Sequence, residues 1–133
     1  MTTIPLLAIG VGCRPGSAAD DIMALVEASL ALAERPDCRL LGLFTCAARG
    51  REVGLIEVAR RLGCGLVGFS NDRLAAEHDR LDSPSATVLQ ALGVPSVAEA
   101  AALVAGGPAG ILVVPKRRST AVTCAIALVG PLS

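Results

Sequence analysis

Aromatic residues are nearly missing from this sequence: among 133 residues there is no tryptophan, no tyrosine and only two phenylalanines. An excess of either charge is missing as well, since twelve basic side chains balance twelve acidic ones. A nucleic-acid-binding surface ordinarily shows a basic surplus or stacking rings, so a nucleic-acid partner is not expected. Long apolar runs are also missing. The longest charge-free stretches are Ala100–Pro115 and Ser119–Ser133; glycines and a proline cut the first, and the second holds only a short apolar core. A bilayer-spanning helix needs roughly 20 apolar residues, so no membrane segment is expected. The five cysteines (Cys13, Cys38, Cys46, Cys64 and Cys124) are odd in number and include no C-x-x-C pair. That pattern fits neither a disulfide framework nor a zinc site, and no metal or cofactor is expected. Free thiols of this kind point to a cytoplasmic protein, most of them as small core residues. The apolar start, Met1 to Gly12, has no Lys or Arg before Arg14 and so no basic leader region; it reads as a first strand.

What is present is aliphatic. Hydrophobic residues make up 53% of the chain and charged ones 18%, which excludes an intrinsically disordered segment. The length suits one domain spanning residues 1–133. Ile4 to Val11 is a continuous apolar run, as a strand buried on both faces requires. Gly12-Cys13-Arg14-Pro15-Gly16 interrupts it, and Ser17 is placed to cap a helix whose apolar stripe includes Ile22, Leu25, Val26 and Leu30. Cys38–Cys46 reads as a second strand, Val53–Leu62 as a second helix ended by Gly63, and Gly65–Ser70 as a short third strand. Asn71 or Asp72 then opens a short helix, Ser83-Pro84-Ser85 another, and Ser96 with Glu99 forms a capping-box pattern before Val97–Ala105. Ile111–Val114 and Ala121–Leu128 are the last two strands, and the short basic link between them implies an antiparallel hairpin. Strands alternating with helices predict a three-layer α/β/α domain, with a mainly parallel, mixed sheet of about five strands closed by that hairpin.

Candidate chemistry gathers in few places. Gly10 to Ser17 joins a strand to a helix, where glycines permit tight turns and the helix's first N–H groups attract anions. Arg14 adds a planar donor fork suited to carboxylates. The dinucleotide fingerprint is not met, because the third glycine falls one place late and no acid ends the second strand; a P-loop lacks its Gly-Lys-Ser/Thr. Cys13, beside a helix start and an arginine, is where a thiol pKa can fall. As a nucleophile it lacks a base, since the single histidine, His78, lies in the most polar stretch. Glu52 and Glu99 open helices and are the remaining weak candidates for a general base. Lys116, the one lysine, leads a Lys116-Arg117-Arg118 run at the expected hairpin tip.

Taken in order, several stretches resemble the CobE family and the C-terminal domain of CbiG proteins, both of cobalamin biosynthesis. They are Gly10-Val11-Gly12-Cys13-Arg14-Pro15-Gly16, Glu52-Val53-Gly54-Leu55, Phe69-Ser70, Ser83-Pro84-Ser85, Gly93 to Ala102, and Lys116 followed by Thr123-Cys124-Ala125-Ile126-Ala127. The resemblance covers about Ile4 to Leu128. Where family members commonly carry a lysine before the Glu-x-Gly-Leu stretch, this chain has Arg49 and Arg51, which keep the charge but offer no deprotonable amine.

The resemblance implies a role in building the corrin ring, on or with a precorrin-type tetrapyrrole. Likeness to CbiG implies hydrolysis of cobalt-precorrin-5A, but CbiG proteins carry an additional N-terminal region, so that activity does not carry over directly, and processing of the intermediate and binding or carrying it are equally implied. Precorrins are apolar macrocycles rimmed with carboxylates. The expected binding set is Gly12, Cys13, Arg14, Arg51, Glu52, Ser70, Ser83, Ser85 and Lys116, brought together at the C-terminal edge of the parallel strands. Two alternatives stand beside it: a non-catalytic module docking on another pathway enzyme, and a phosphate or nucleotide binder using the first strand–helix turn.

Overall fold

The computed structural model describes residues 4–34, 37–77 and 97–130. Strand β1 (Leu6–Cys13) leads through the glycine-containing turn to helix α1 (Ala19–Ala33). Strand β2 (Arg39–Cys46) follows, then a single 3₁₀ turn (Ala47–Arg49) and helix α2 (Val53–Leu62). Strand β3 (Leu66–Phe69) leads to a short helix α3 (Asn71–Ala75), and helix α4 (Val97–Gly106) precedes the final hairpin of β4 (Ile111–Arg118) and β5 (Val122–Leu128).

The five strands form one sheet in the order β3-β2-β1-β5-β4. β1 pairs with β2, and β2 with β3, in parallel; β5 runs antiparallel to both β1 and β4. Four strands therefore point one way and β5 alone opposes them, as expected of a mainly parallel sheet closed by a hairpin. The last strand is internal, between β1 and β4, and β4 forms the edge.

Helices cover both faces. On one, Ile22, Leu25 and Val26 of α1 and Leu55 and Val58 of α2 pack on Ile9, Val11 and Leu43. On the other, Leu74 of α3 and Ala100, Ala101 and Val104 of α4 meet Ala8 and Phe44. Each large aliphatic side chain so buried contributes about 1.5–3 kcal/mol. The alanine-rich α4 lies unusually close to the sheet. A Cβ at Gly10 would run into the Ala98 carbonyl and come within 2.8 Å of the Ala102 nitrogen. The glycine of β1 thus seats a helix rather than a ligand.

Several local expectations change. Ala18, not Ser17, occupies the N-cap of α1 without a side-chain bond, while the Ser17 hydroxyl donates to the Arg14 carbonyl at 2.7 Å. The short helix after β3 is capped by Ser70, whose hydroxyl accepts from the Arg73 amide at 3.3 Å. β4 continues through Arg118, so Lys116-Arg117-Arg118 is strand, and Ser119–Ala121 forms the tip. Cations and Pro115 on an edge strand also discourage pairing with another chain. His78, Ser83-Pro84-Ser85, the helix expected after them, and Ser96 of the capping box lie outside the described residues. Among the described residues, no helix is long and apolar enough to cross a membrane.

Candidate functional site

Chain direction places the ends of β1, β2, β3 and β4 at one edge of the sheet, together with the start of β5 and the first turn of α4. Three hydrogen bonds knit the turns at that edge. The Arg14 amide donates to the Ala121 carbonyl at 3.1 Å, laying the β1–α1 turn against the β4–β5 turn. The Arg49 guanidinium donates through Nε to the Cys13 carbonyl at 2.9 Å. The Gly16 amide donates to Oε1 of Glu52 at 3.0 Å.

The last contact has a steric cause. A Cβ on Gly54 would strike the Ser17 carbonyl and approach Ile22 Cδ1 to 3.1 Å. Glycine at this position lets the first turn of α2 rest on the β1–α1 turn, carrying Glu52 onto Gly16. Gly16 itself has φ +76°, a left-handed conformation that glycine adopts without penalty.

Cys13 is half-buried, and its thiol pKa is raised rather than lowered: burial pushes it up, Glu52 adds to this, and Arg49 opposes it. The expectation of an activated thiol is corrected here, because burial disfavours the thiolate and the neighbouring Glu52 adds to that more than Arg49 offsets. Thr45, two residues on from Leu43 and on the same face of β2, is fully buried. Its hydroxyl has no hydrogen-bond partner among the described residues; sequence patterning gives no sign of such an orphan.

On the α4 side, Gly12 faces Thr123 and Val97. A Cβ there would come within 2.7 Å of Thr123 Oγ1 and 3.6 Å of Val97 Cβ, and the Thr123 hydroxyl donates weakly to the Gly12 carbonyl at 3.4 Å. Glu99 is wholly shielded from solvent and accepts the Lys116 amide on Oε2 at 3.0 Å. A carboxylate so enclosed cannot meet a ligand at the surface, so its reading as a general base gives way to a structural contact.

Gly12, Cys13, Arg14 and Glu52 are therefore linked through the β1–α1 turn, with Arg49 bonded to Cys13, whereas Lys116 and Glu99 lie on the α4 side, bonded to each other. Arg14 and Arg51 are exposed. Ser70 sits at the same edge with its hydroxyl engaged at α3. Beside this group an open groove of about 450 Å³ runs between α1 and the β4–β5 turn, lined by Ser17, Asp21, Leu25, Thr120, Ala121 and Val122. Asp21 and Thr120 line one groove because helix and hairpin tip become neighbours only in three dimensions. Among the described residues, no group of three His, Cys, Asp or Glu is disposed to hold a metal.

Comparison with known proteins matches residues 7–127 to the family described as the cobalamin synthesis G C-terminus. The chain belongs to that family. It is 33% identical to Protein CobE of Sinorhizobium sp over 91% of this chain and 79% of that protein. It is 34% identical to cobalt-precorrin-5A hydrolase of Priestia megaterium over 93% of this chain, but spans only 32% of that longer protein. Among solved structures, a CobE from the cobalamin biosynthetic pathway superposes with a TM-score of 0.81 at 33% identity, covering 96% of this chain and 93% of the other. The cobalamin biosynthesis protein chiG of Agrobacterium tumefaciens superposes at 0.70 and 34% identity, over 94% and 99%. The chain is thus a cobalamin-biosynthesis protein of the CobE type.

Proposed function

We propose that the domain binds a precorrin-type tetrapyrrole at the C-terminal edge of the parallel strands, with Arg14 and Lys116 gripping its peripheral carboxylates. The observation that carries this reading is the Arg14–Ala121 backbone contact, which packs the turn bearing Arg14 against the hairpin whose edge strand bears Lys116, Arg117 and Arg118. That contact supports a shared rim for cations far apart in sequence, in a chain with no overall positive charge. Each carboxylate held by such a donor contributes about 1.5–3 kcal/mol. Arg51, Gly12, Cys13, Ser70, Ser83 and Ser85 belong to the same proposed set.

The reading is one of binding rather than bond cleavage. Glu99 is closed off from solvent, and burial raises the Cys13 thiol pKa, which disfavours the reactive thiolate. A phosphate or nucleotide in the first turn has less support, since the Gly16 amide is occupied by the Glu52 carboxylate, whose charge repels a second anion.

Titration with a precorrin or with uroporphyrin I, a porphyrin carrying acetate and propionate arms, followed by absorbance, tests the proposal. Saturable binding that weakens about tenfold in Arg14→Ala and Lys116→Ala is expected. Undiminished binding by both variants would overturn it. Thermal shift with ATP and pyrophosphate separates the phosphate reading, since a ligand at 100 times its Kd stabilises by about 2.7 kcal/mol.

A further inference from the structure

We infer that Glu99 is a positioning residue for Lys116, aiming that lysine's ammonium at the ligand from within the protein; the inference rests on the binding reading above. The pairing of β4 with β5 is irregular in two places, between Leu112 and Val114 and between Val114 and Arg117. Val114 lies opposite Ile126 and Arg117 opposite Cys124, so three steps along the edge strand answer two along its neighbour. An extra residue in one strand bends it and removes one backbone group from the regular ladder. Lys116 lies within this bulge, and its amide donates to Glu99 Oε2 at 3.0 Å instead of to a strand.

Glu99 is itself held in place. It projects from the first turn of α4, and α4 is locked to the sheet by the contact of Ala98 and Ala102 with the bare Cα of Gly10. Its carboxylate is fully buried. A buried carboxyl oxygen is costly to leave without a hydrogen bond, so the bond it accepts defines one geometry for the strand that makes it. The chain of constraint runs from Gly10 to α4, from α4 to Glu99, and from Glu99 to the backbone at Lys116. A lysine carried on a free edge strand would sample many directions, whereas one on a pinned bulge is preorganised and loses less freedom on binding.

The test is uroporphyrin I binding by the parent, Lys116→Ala, Glu99→Ala, Glu99→Gln and the Glu99→Ala/Lys116→Ala double variant. Glu99→Ala is expected to weaken binding about as much as Lys116→Ala, roughly tenfold, with little further loss in the double variant, because both act through one ammonium. Glu99→Gln keeps an oxygen for the Lys116 amide and is expected to bind within about threefold of the parent. Parent-like binding by Glu99→Ala while Lys116→Ala is weakened, or full additivity in the double variant, overturns the positioning role and leaves the site reading intact. Parent-like binding by Lys116→Ala overturns this inference, and only together with parent-like binding by Arg14→Ala does it remove the site reading as well. A measurement needing no variant guards against misfolding: the Lys116 amide should exchange slowly with deuterium in the parent protein, and rapid exchange would overturn the inference.

Discussion

Glu52 and Gly16, 36 residues apart in sequence, meet through a carboxylate oxygen 3.0 Å from a backbone amide at the turn where an external anion was expected. The protein supplies its own anion to that turn, while Arg14 and Arg51 stay exposed. Replacing Glu52 with Gln preserves an oxygen acceptor for the amide and removes the charge. Stability should then change little, and uroporphyrin I should bind a few-fold more tightly. Glu52→Ala should cost about 1 kcal/mol in urea unfolding, the worth of one intramolecular hydrogen bond.

Two glycines of the same motif should respond unequally to alanine. At Gly10 the new methyl would occupy the place of the Ala98 carbonyl, so Gly10→Ala should destabilise by about 3 kcal/mol or prevent folding, at the upper end for overpacked cores. At Gly16 there is open space around the new atom and only a positive φ to accommodate, so Gly16→Ala should cost about 1 kcal/mol. Comparing denaturant midpoints of the two variants decides the matter; equal losses would contradict the close seating of α4.

Thiol chemistry provides an independent check on burial. Cys124 is enclosed between sheet and α1, and burial pushes its pKa up to about 11 despite a hydrogen bond with Ser29. Cys13 and Cys64 are raised as well, chiefly by burial. A raised thiol pKa means less thiolate at a given pH, and the thiolate is the reactive form. Alkylation by iodoacetamide at pH 8, mapped by mass spectrometry, should leave Cys124 unmodified in the native protein and label Cys13 more slowly than a free thiol. Preferential labelling of Cys13 would restore the activated-thiol reading.

Acid stability should depend on Glu57. Arg60 at 2.6 Å and Arg61 at 2.9 Å bond its carboxylate, and those bonds hold its pKa down from an ordinary 4.5 to about 2. A depressed carboxylate pKa stabilises the fold above the unfolded value and loses that contribution as protons bind. The parent should therefore lose melting temperature between pH 4.5 and pH 2. Glu57→Gln should lose less over the same range, by a small margin because the group is exposed and screened.

Much of the fold was legible before any coordinates. The apolar runs at Leu6–Cys13 and Val122–Leu128 are strands because both faces are covered, and the stripe through Ile22, Leu25 and Val26 is the buried side of α1. Gly63 ends α2 in the left-handed conformation its type allows. Caps were less legible. Ser17 and Ser70 are both hydroxyl residues ahead of a helix, yet only Ser70 caps one, because Ser17 turns back to the Arg14 carbonyl. The extent of β4 was shortened in the sequence reading, since cations after Val114 resemble a loop until the strand is known to lie at the edge.

The candidate site divides along the same line. Arg14, Glu52 and Lys116 stand out by residue type, but what each one does was decided by partners elsewhere in the chain. Glu52 became a brace for Gly16 through the close approach that Gly54 permits, and Glu99 became an anchor for Lys116 through the seating of α4 on Gly10.

By itself the amino-acid order determined the alternation of strands and helices, the hairpin that closes the sheet, and membership of a cobalamin-biosynthesis family, because periodicity and motif are properties of neighbouring residues. Tertiary structure alone decided that β5 inserts between β1 and β4, that the Cys13 thiol is raised, and that Glu99 faces a backbone amide. Those outcomes depend on distances of closest approach between elements far apart in the chain, where a single missing Cβ determines which side chains can touch.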